Sequence, residues 1–402
     1  MSLLTQAEQA ILETAAQAPM LEQVELWAAT NSGTGNLTGL RTVSNLLADA
    51  FSALPGEVTL VAPDPVENVS PDGAVRMIER GKHLHARVRP EAPVQLLLTG
   101  HMDTVFAADH PFQTLKWLDD GVLNGPGTAD MKGGLAVILS ALRALEASPL
   151  AERIGYDVLI NSDEETGSHA SARLIAELAR DKVAALTYEP ALPDGTLAGA
   201  RPGSGNFSIA IHGRAAHAGR NPEDGRNALL AAADLALRLN AAKSSGLKVN
   251  PAKIDGGGPN NIVPDQAILR VNLRPMTPDD MAAAETILKE SIAAISREHG
   301  VQCHLHGGFN RPPKPIDPAA EKLFNLVRDC GNDLGLALAW KATGGVCDGN
   351  NIAACGVPVV DTMGPRGGSI HSDKEFLIVD SLAERAQLSA LTLLRIAERG
   401  SV

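Results

Sequence analysis

Three apolar runs in this 402-residue chain end directly on side chains that can bind metals or move protons. Residues 94–100, VQLLLTG, pass into His101-Met102-Asp103. Residues 156–162, YDVLINS, pass into Asp163-Glu164-Glu165, and VAALTY passes into Glu189. Between the first two lies GPGTADMKGG, a glycine-rich turn carrying Asp130. Each piece alone has a plain reading: a histidine after a strand is commonly structural, and a DEE run is commonly a solvated loop. As a phosphate cradle the turn fits neither GxGxxG nor GxxxxGK[ST]. Brought to one place, however, these donors repel one another unless cations neutralise them. Divalent metals meet that need. A carboxylate has two oxygens and can bridge ions about 3.5–4 Å apart, as in two-metal hydrolases. Asp103 lies two residues from His101 on an extended segment, placed to accept the ring's other N–H. Glu164 and Glu165 point in different directions, so one can ligate while the other stays free as a base. A free glutamate beside activated water takes its proton and passes it to a leaving amine.

Such residues need a frame that gathers strand ends. Residues 94–100, 156–162 and 183–189 read as strands from their apolar runs. Residues 5–17, 37–54 and 168–180 read as helices, the last capped by Ser168, and another helix opens at Gly133–Gly134. Strands and helices in alternation imply α/β architecture, a mostly parallel sheet sandwiched by helices. In an open sheet of this kind, ligands bind beyond the carboxyl ends of the strands. The rhythm then changes to strand, helix, strand, helix, strand over 202–311, an inserted α+β domain closed by the proline-rich RPPKP. After it, a helix over 321–330, strands at 336–340 and 357–361 and a helix over 382–398 resume the first pattern. The expected division is 1–201 with 312–402 as one domain and 202–311 as the insert.

Composition narrows the function classes. A net charge of −12 argues against nucleic acid, whose phosphates need a basic face, while leaving room for a local basic pocket for an anionic substrate. Aromatic residues are only 3%, so the core must be built from Leu, Ile, Val and Ala. Cys303, Cys330, Cys347 and Cys355 show no CxxC spacing, which fits reduced thiols. The N-terminus lacks a secretion-signal pattern and no run is long enough to span a membrane, so a soluble cytoplasmic protein is expected. His304 and His306 alternate on one strand and read as an exposed face of the insert's sheet; Cys347 reads as packing.

HMDTV, GPGTADMKGG, DEETGS, YEP, GRAAHAG and GSIHSDKE, in this order, resemble the zinc-dependent carboxypeptidase and deacylase family of glutamate carboxypeptidase, acetylornithine deacetylase, succinyl-diaminopimelate desuccinylase and aminoacylase. The resemblance spans about His101 to Asp373 and lies nearest the glutamate carboxypeptidase branch. It implies that Asp130 bridges two divalent ions, zinc or else cobalt or manganese. His101 and Glu189 would complete one site, Glu165 and His371 the other. Glu164 would be the general base, Asp103 the orienting partner of His101, and the Asp130–Met131 peptide would be cis. His217, in GRAAHAG, would reach the active site of a partner subunit and polarise the scissile carbonyl. That role implies a homodimer formed through the insert.

Asn261 in NNIVP and Arg311 in GFNRPPKP resemble substrate-contacting residues, Arg311 as the bidentate grip on a terminal carboxylate. Arg274 in VNLRP would bind ligand or hold the insert's sheet edge, and Gly367–Gly368 would let substrate approach the backbone. The implied reaction is metal-dependent hydrolysis of an amide in a peptide or N-acyl amino acid with a free carboxylate. An amino-acid deacetylase or desuccinylase is the alternative within hydrolases. A non-catalytic metal-binding protein on the same fold is the alternative of another class. The loop after Glu189 has no lysine where glutamate-releasing relatives carry one, and Arg201 stands as its substitute.

Overall fold

The computed structural model describes residues 4–119 and 121–402, so residues 1–3 of the expected first segment lie outside it. The three apolar runs are adjacent strands at the centre of a six-stranded sheet. Its order is Glu57–Val61, His83–Val88, Ile154–Asn161, Val94–His101, Ala184–Thr187, Val359–Val360. Among these only His83–Val88 runs against the others. Successive strand residues face opposite sides, and here both sides are covered. Leu96, Leu98, Val158 and Leu186 join a large core with helices Gln6–Ala16, Met20–Ala28, Leu37–Phe51, Gly133–Glu146 and Ser381–Arg399. Leu97, Leu159 and Ala185 join a smaller core beneath helices Ala172–Ala179 and Asp348–Ala354. A strand covered on both faces must be apolar throughout, which is why these runs show no alternation.

Helix Gly133–Glu146 is enclosed on every side, with all of it buried except Arg143 and Glu146. It starts tight against the sheet: a Cβ at Gly134 would stand 2.0 Å from the Tyr188 carbonyl oxygen. Only glycine lets this helix begin so near the strand end that carries Glu189.

A second sheet is antiparallel and four-stranded, in the order Leu247–Gly256, Gln266–Pro275, Ser204–His212, Gln302–Arg311. Helices Ala228–Ala241 and Pro278–His299 cover one face and form a separate core with it. The longer helix is fixed at both ends, by a Thr277–Asp280 capping box and by Gly300 at φ 63°. The strand order is that of a split β-α-β unit. The chain enters and leaves this block side by side, since Arg201 and Lys314 exchange two main-chain hydrogen bonds of 2.9 Å. Their side chains both reach buried Asp361, Lys314 Nζ at 3.0 Å from one oxygen and Arg201 Nε on the other. Hairpin Val66–Val69/Val75–Ile78 covers part of the second sheet's other face, where Val69 packs on Ala210 and Ile268 and its carbonyl accepts from Arg270 Nη2 at 2.8 Å.

Several expectations need correction. The insert has four strands, not three: Leu247–Gly256 was hidden by Pro251 and by a register shift between Pro251 and Lys253. An edge strand tolerates both. The helix expected from Ser168 begins at Ala172, because Ser168 adopts φ 54° and spends its hydroxyl on Asp348 and Arg311. The strand expected at 336–340 is reduced to Trp340–Lys341, paired with Leu197–Ala198. No helix among the described residues is long and apolar enough to cross a membrane.

The first sheet also encloses a charged group. Asp157, 2% exposed, receives His85 Nε2 at 2.6 Å, Arg87 Nε at 2.8 Å and Lys182 Nζ at 2.6 Å. Burial opposes its ionisation, but hydrogen bonds from His85, Lys182 and Arg87, with the charge of Lys182, outweigh that and hold its carboxyl well below the usual range. Asp157→Asn is expected to lower the unfolding free energy by roughly 1–3 kcal/mol at about pH 7. A depressed folded pKa gives stability that is present above the unfolded value of about 3.9 and lost as pH falls below it. The gap between variant and wild type should therefore shrink towards about pH 3, as read by urea denaturation at both pH values.

Candidate metal centre

Parallel neighbours in the first sheet end side by side, and their last residues form one cluster. His101 closes Val94–His101, Glu164 and Glu165 follow Ile154–Asn161, and Glu189 follows Ala184–Thr187. Asp130 sits in the tight turn Thr128–Lys132 that opens helix Gly133–Glu146, and the Asp130–Met131 peptide is cis. His371 comes from the loop between Gly367–Gly368 and Phe376–Ile378, at φ 62°.

The two oxygens of Asp130 face different histidines. Oδ1 lies 3.1 Å from His101 Nε2, and Oδ2 lies 3.2 Å from His371 Nε2. Glu189 stands 3.8 Å from His101 Nε2 on one side, and Glu165 stands 3.1 Å from His371 Nε2 on the other. Donor atoms of His101, Asp130 and Glu165 lie within 4.8 Å of one another, as do those of His101, Glu164 and Glu189. Asp103 organises this arrangement from behind. The nearest acceptor for His101 Nδ1 is the Asp103 main-chain oxygen at 3.0 Å, with the carboxylate at 3.4 Å. Donation from Nδ1 leaves Nε2 as the ring's ligating nitrogen. The Asp103 carboxylate itself accepts from Glu164 N and Glu165 N, each at 3.2 Å, and from Thr34 Oγ1 at 2.6 Å. It fixes the turn that presents both glutamates.

Electrostatics give the cluster its character. Burial, then the neighbouring Asp130, pushes Glu165 up to about 7; burial also raises Glu164, against the pull of Arg311, and Glu189. Asp130 is held low despite burial by hydrogen bonds from His101 and His371, and hydrogen bonds to Asp130 and then Glu165 lift His371 to about 11. Among the described residues Glu189 has no cation nearer than His101. Crowded, buried carboxylates with two imidazoles at their flanks form a donor set that suits divalent zinc, cobalt or manganese. The residues present fit such an ion, and the two candidate donor groups have His101 in common.

Two cavities meet here, a cleft of about 790 Å³ and a smaller pocket of about 270 Å³, and both are lined by Glu164, Glu165 and His371. Arg311 borders the cleft but is only 2% exposed. It donates to Glu164 Oε1 at 2.7 Å, Asp348 Oδ1 at 2.8 Å and Asn351 Oδ1 at 2.9 Å. Arg274 borders the same cleft. Arg201 and Cys347 border the smaller pocket, where burial pushes the Cys347 thiol well up. His217 and Asn261 are exposed on the insert and Gly368 packs beside the Phe376 ring; none of the three lines either cavity. His217 Nδ1 accepts from Gly219 N and Arg220 N, each at 3.1 Å. His304 and His306 lie on the insert's last strand, and neither belongs to the cluster.

Sequence reading missed two supports. Glu375 Oε1 accepts from Ala129 N at 3.1 Å and Asp130 N at 3.0 Å, clamping the backbone that carries the shared aspartate. Burial, with Asp130 close by, lifts its carboxyl to about 8. Lys132, fully enclosed, donates to Ser32 Oγ at 2.8 Å, and burial lowers its ammonium to about 8. Both stood in the quoted motifs GSIHSDKE and GPGTADMKGG; a charge within a buried apolar context was the available signal.

The chain can now be set beside known proteins. It is 30% identical over 387 residues to carboxypeptidase G2 of Pseudomonas sp. (strain RS-16), covering 93% of this chain and 88% of that one. It is 25% identical to succinyl-diaminopimelate desuccinylase of Ectopseudomonas mendocina (strain ymp), covering 79% and 87%. Its fold matches a tripeptidase from Staphylococcus aureus at a TM-score of 0.70 with 24% identity, covering 94% and 98% of the two chains. Residues 97–395 match the model of peptidase family M20/M25/M40, and the chain belongs to that family.

Proposed function

We propose that this protein is a dinuclear metal-dependent hydrolase that cuts an amide bond in a peptide or N-acyl amino acid bearing a free C-terminal carboxylate. The observation that carries this reading is the shared Asp130, whose oxygens each address a separate histidine at 3.1 and 3.2 Å. His101 and Glu189 would hold one ion, Glu165 and His371 the other, with zinc favoured and cobalt or manganese as alternatives. Two such ions would polarise the scissile carbonyl and supply a water nucleophile at neutral pH.

The chain's own groups account for the rest. Glu164 takes a proton from the attacking water and returns it to the departing amine. Burial raises its affinity for the proton it has to carry between the two. Arg311 holds Glu164 in place now, and its guanidinium lies where a substrate carboxylate would compete for it. Arg274 adds a proposed substrate contact from the cleft wall; Asn261, exposed beside His217, would serve a partner's site with it, and the proposed contact at Gly368 lies outside both cavities. Arg201, at the base of the smaller pocket, would meet the released residue's side chain.

The reading includes a division into 1–201 with 312–402 and an insert of 202–311 that serves as lid and dimer interface. Leu230 and Leu237, 60% and 70% exposed, stand two turns apart on helix Ala228–Ala241, apolar ground that a second copy would cover. His217 is turned to solvent, away from its own cluster, as service in a partner's site requires. Four unpaired cysteines fit a cytoplasmic setting.

Metal analysis with kinetics tests the centre. Glu164→Gln should retain both ions and lose roughly 10²–10⁴-fold in kcat on C-terminal dipeptides or N-acetyl amino acids. Glu189→Ala and His371→Ala should each retain about one ion. Hydrolysis that survives chelation would refute the reading. Mixing tests the partner histidine. Separately inactive Glu164→Gln and His217→Ala dimers should regain activity after subunit exchange, because one site of the mixed dimer is then intact. No recovery despite exchange would show that His217 does not serve the partner's site.

A further inference from the structure

The second sheet turns its polar face towards the metal centre. Along Gln266–Pro275, Ala267, Leu269, Val271 and Leu273 enter the insert's core, which leaves Arg270, Asn272 and Arg274 on the opposite face. The hairpin over Arg270 does not reach Asn272 and Arg274, and both open on the 790 Å³ cleft. Register extends this surface sideways. Asn250 and Asn206 pair with Asn272 from either side, and Lys248 pairs with Arg274. All of them line the cleft that Glu164, Glu165 and His371 line from the other wall.

Besides Arg311, already bonded to Glu164 and Asp348, this wall carries two cations, Lys248 and Arg274, and no carboxylate. The Lys248 ammonium has no hydrogen-bond or ion-pair partner among the described residues. Arg274 donates only to neutral acceptors, Asn272 Oδ1 at 2.9 Å and the Gly344 carbonyl at 3.0 Å. On a chain of net charge −12, that is a local reversal of sign facing the reacting groups. The amides of Asn206, Asn250 and Asn272 offer neutral donors and acceptors beside it.

Size assigns the halves of a substrate. A pocket of about 270 Å³ suits one amino acid, whereas about 790 Å³ lies in the range that holds a larger organic group. Glu164, Glu165 and His371 belong to both, and Arg311 stands at the same boundary 2.7 Å from Glu164, so the bond to be cut and the terminal carboxylate beside it lie at the junction. We propose that the sheet wall is a subsite for the acyl half of the substrate, and that Lys248 makes it select acyl groups carrying a carboxylate. This rests on the amidohydrolase reading and narrows its substrates. Lys248 suits the task because its ammonium is mobile and unpaired, whereas the Arg274 guanidinium is already anchored to the backbone of the opposite wall.

The test compares glutaryl-alanine with its neutral carboxamide counterpart on the metal-loaded protein. Wild type is expected to prefer the carboxylate by about tenfold in kcat/KM, less at high salt. Lys248→Met should bring that ratio close to one, and Lys248→Glu should invert it. An unchanged ratio in Lys248→Met overturns the proposal. Lys248 is exposed on an edge strand, so both variants are expected to fold, which circular dichroism checks. Calorimetric binding of the two compounds to metal-loaded Glu164→Gln reads the same preference without turnover. Absence of hydrolysis of any N-acyl amino acid or dipeptide would therefore indict the proposed reaction. Equal affinities for the two compounds would indict the subsite alone.

Discussion

Everything at the site depends on one electrostatic constraint: several carboxylates share a buried space with too little positive charge to balance them. Asp130 resolves part of this by dividing its oxygens between two imidazoles, and Arg311 resolves another part by neutralising Glu164. Among the described residues Glu165 and Glu189 have only histidine as an ion-pair partner, with the charge of Arg201 acting on Glu189 from farther off. A fold does not hold such a cluster by accident, because each member costs desolvation energy. The surrounding structure is arranged to enforce it. Asp103 pins the glutamate turn, Glu375 pins the Asp130 backbone, and Gly134 lets the helix start against the Tyr188 carbonyl, where a Cβ would not fit.

Much of this was legible in the sequence, for a physical reason. Strands buried on both faces must be unbroken apolar runs, and the cluster residues follow immediately where those runs stop. His101, Glu165 and Glu189 therefore announce themselves, and the family resemblance of six ordered motifs supplies His371. The hidden elements are those whose composition conflicts with their position. His83–Val88 contains two histidines and an arginine yet lies inside the sheet, because His85 and Arg87 are consumed by Asp157. Leu247–Gly256 carries Pro251 and still pairs, because it occupies an edge. Ser168 looks like a helix cap but belongs to the Arg311–Asp348 network, a tertiary partnership between segments far apart in the chain. Local spacing cannot reveal a hydroxyl's distant partner.

The insert is asymmetric in a way that matches its place in the molecule. One face of its sheet is closed by its own helices. The other is shared between a hairpin of the first sheet's segment and the open cleft. The block thus contributes one wall to a site whose reacting groups it does not supply, apart from Arg311 at the last position of its final strand.

The paired connectors at Arg201 and Lys314 have a mechanical consequence. Both are moored to the same buried carboxylate of Asp361, so the two strands of the neck cannot slide past each other without breaking that anchorage. The smaller pocket is built beside this anchorage through Arg201, whereas the larger cleft is walled on one side by Lys248 and Arg274 of the second sheet. One end of a bound molecule thus meets a wall held by buried ion pairs, and the other a wall of looser side chains.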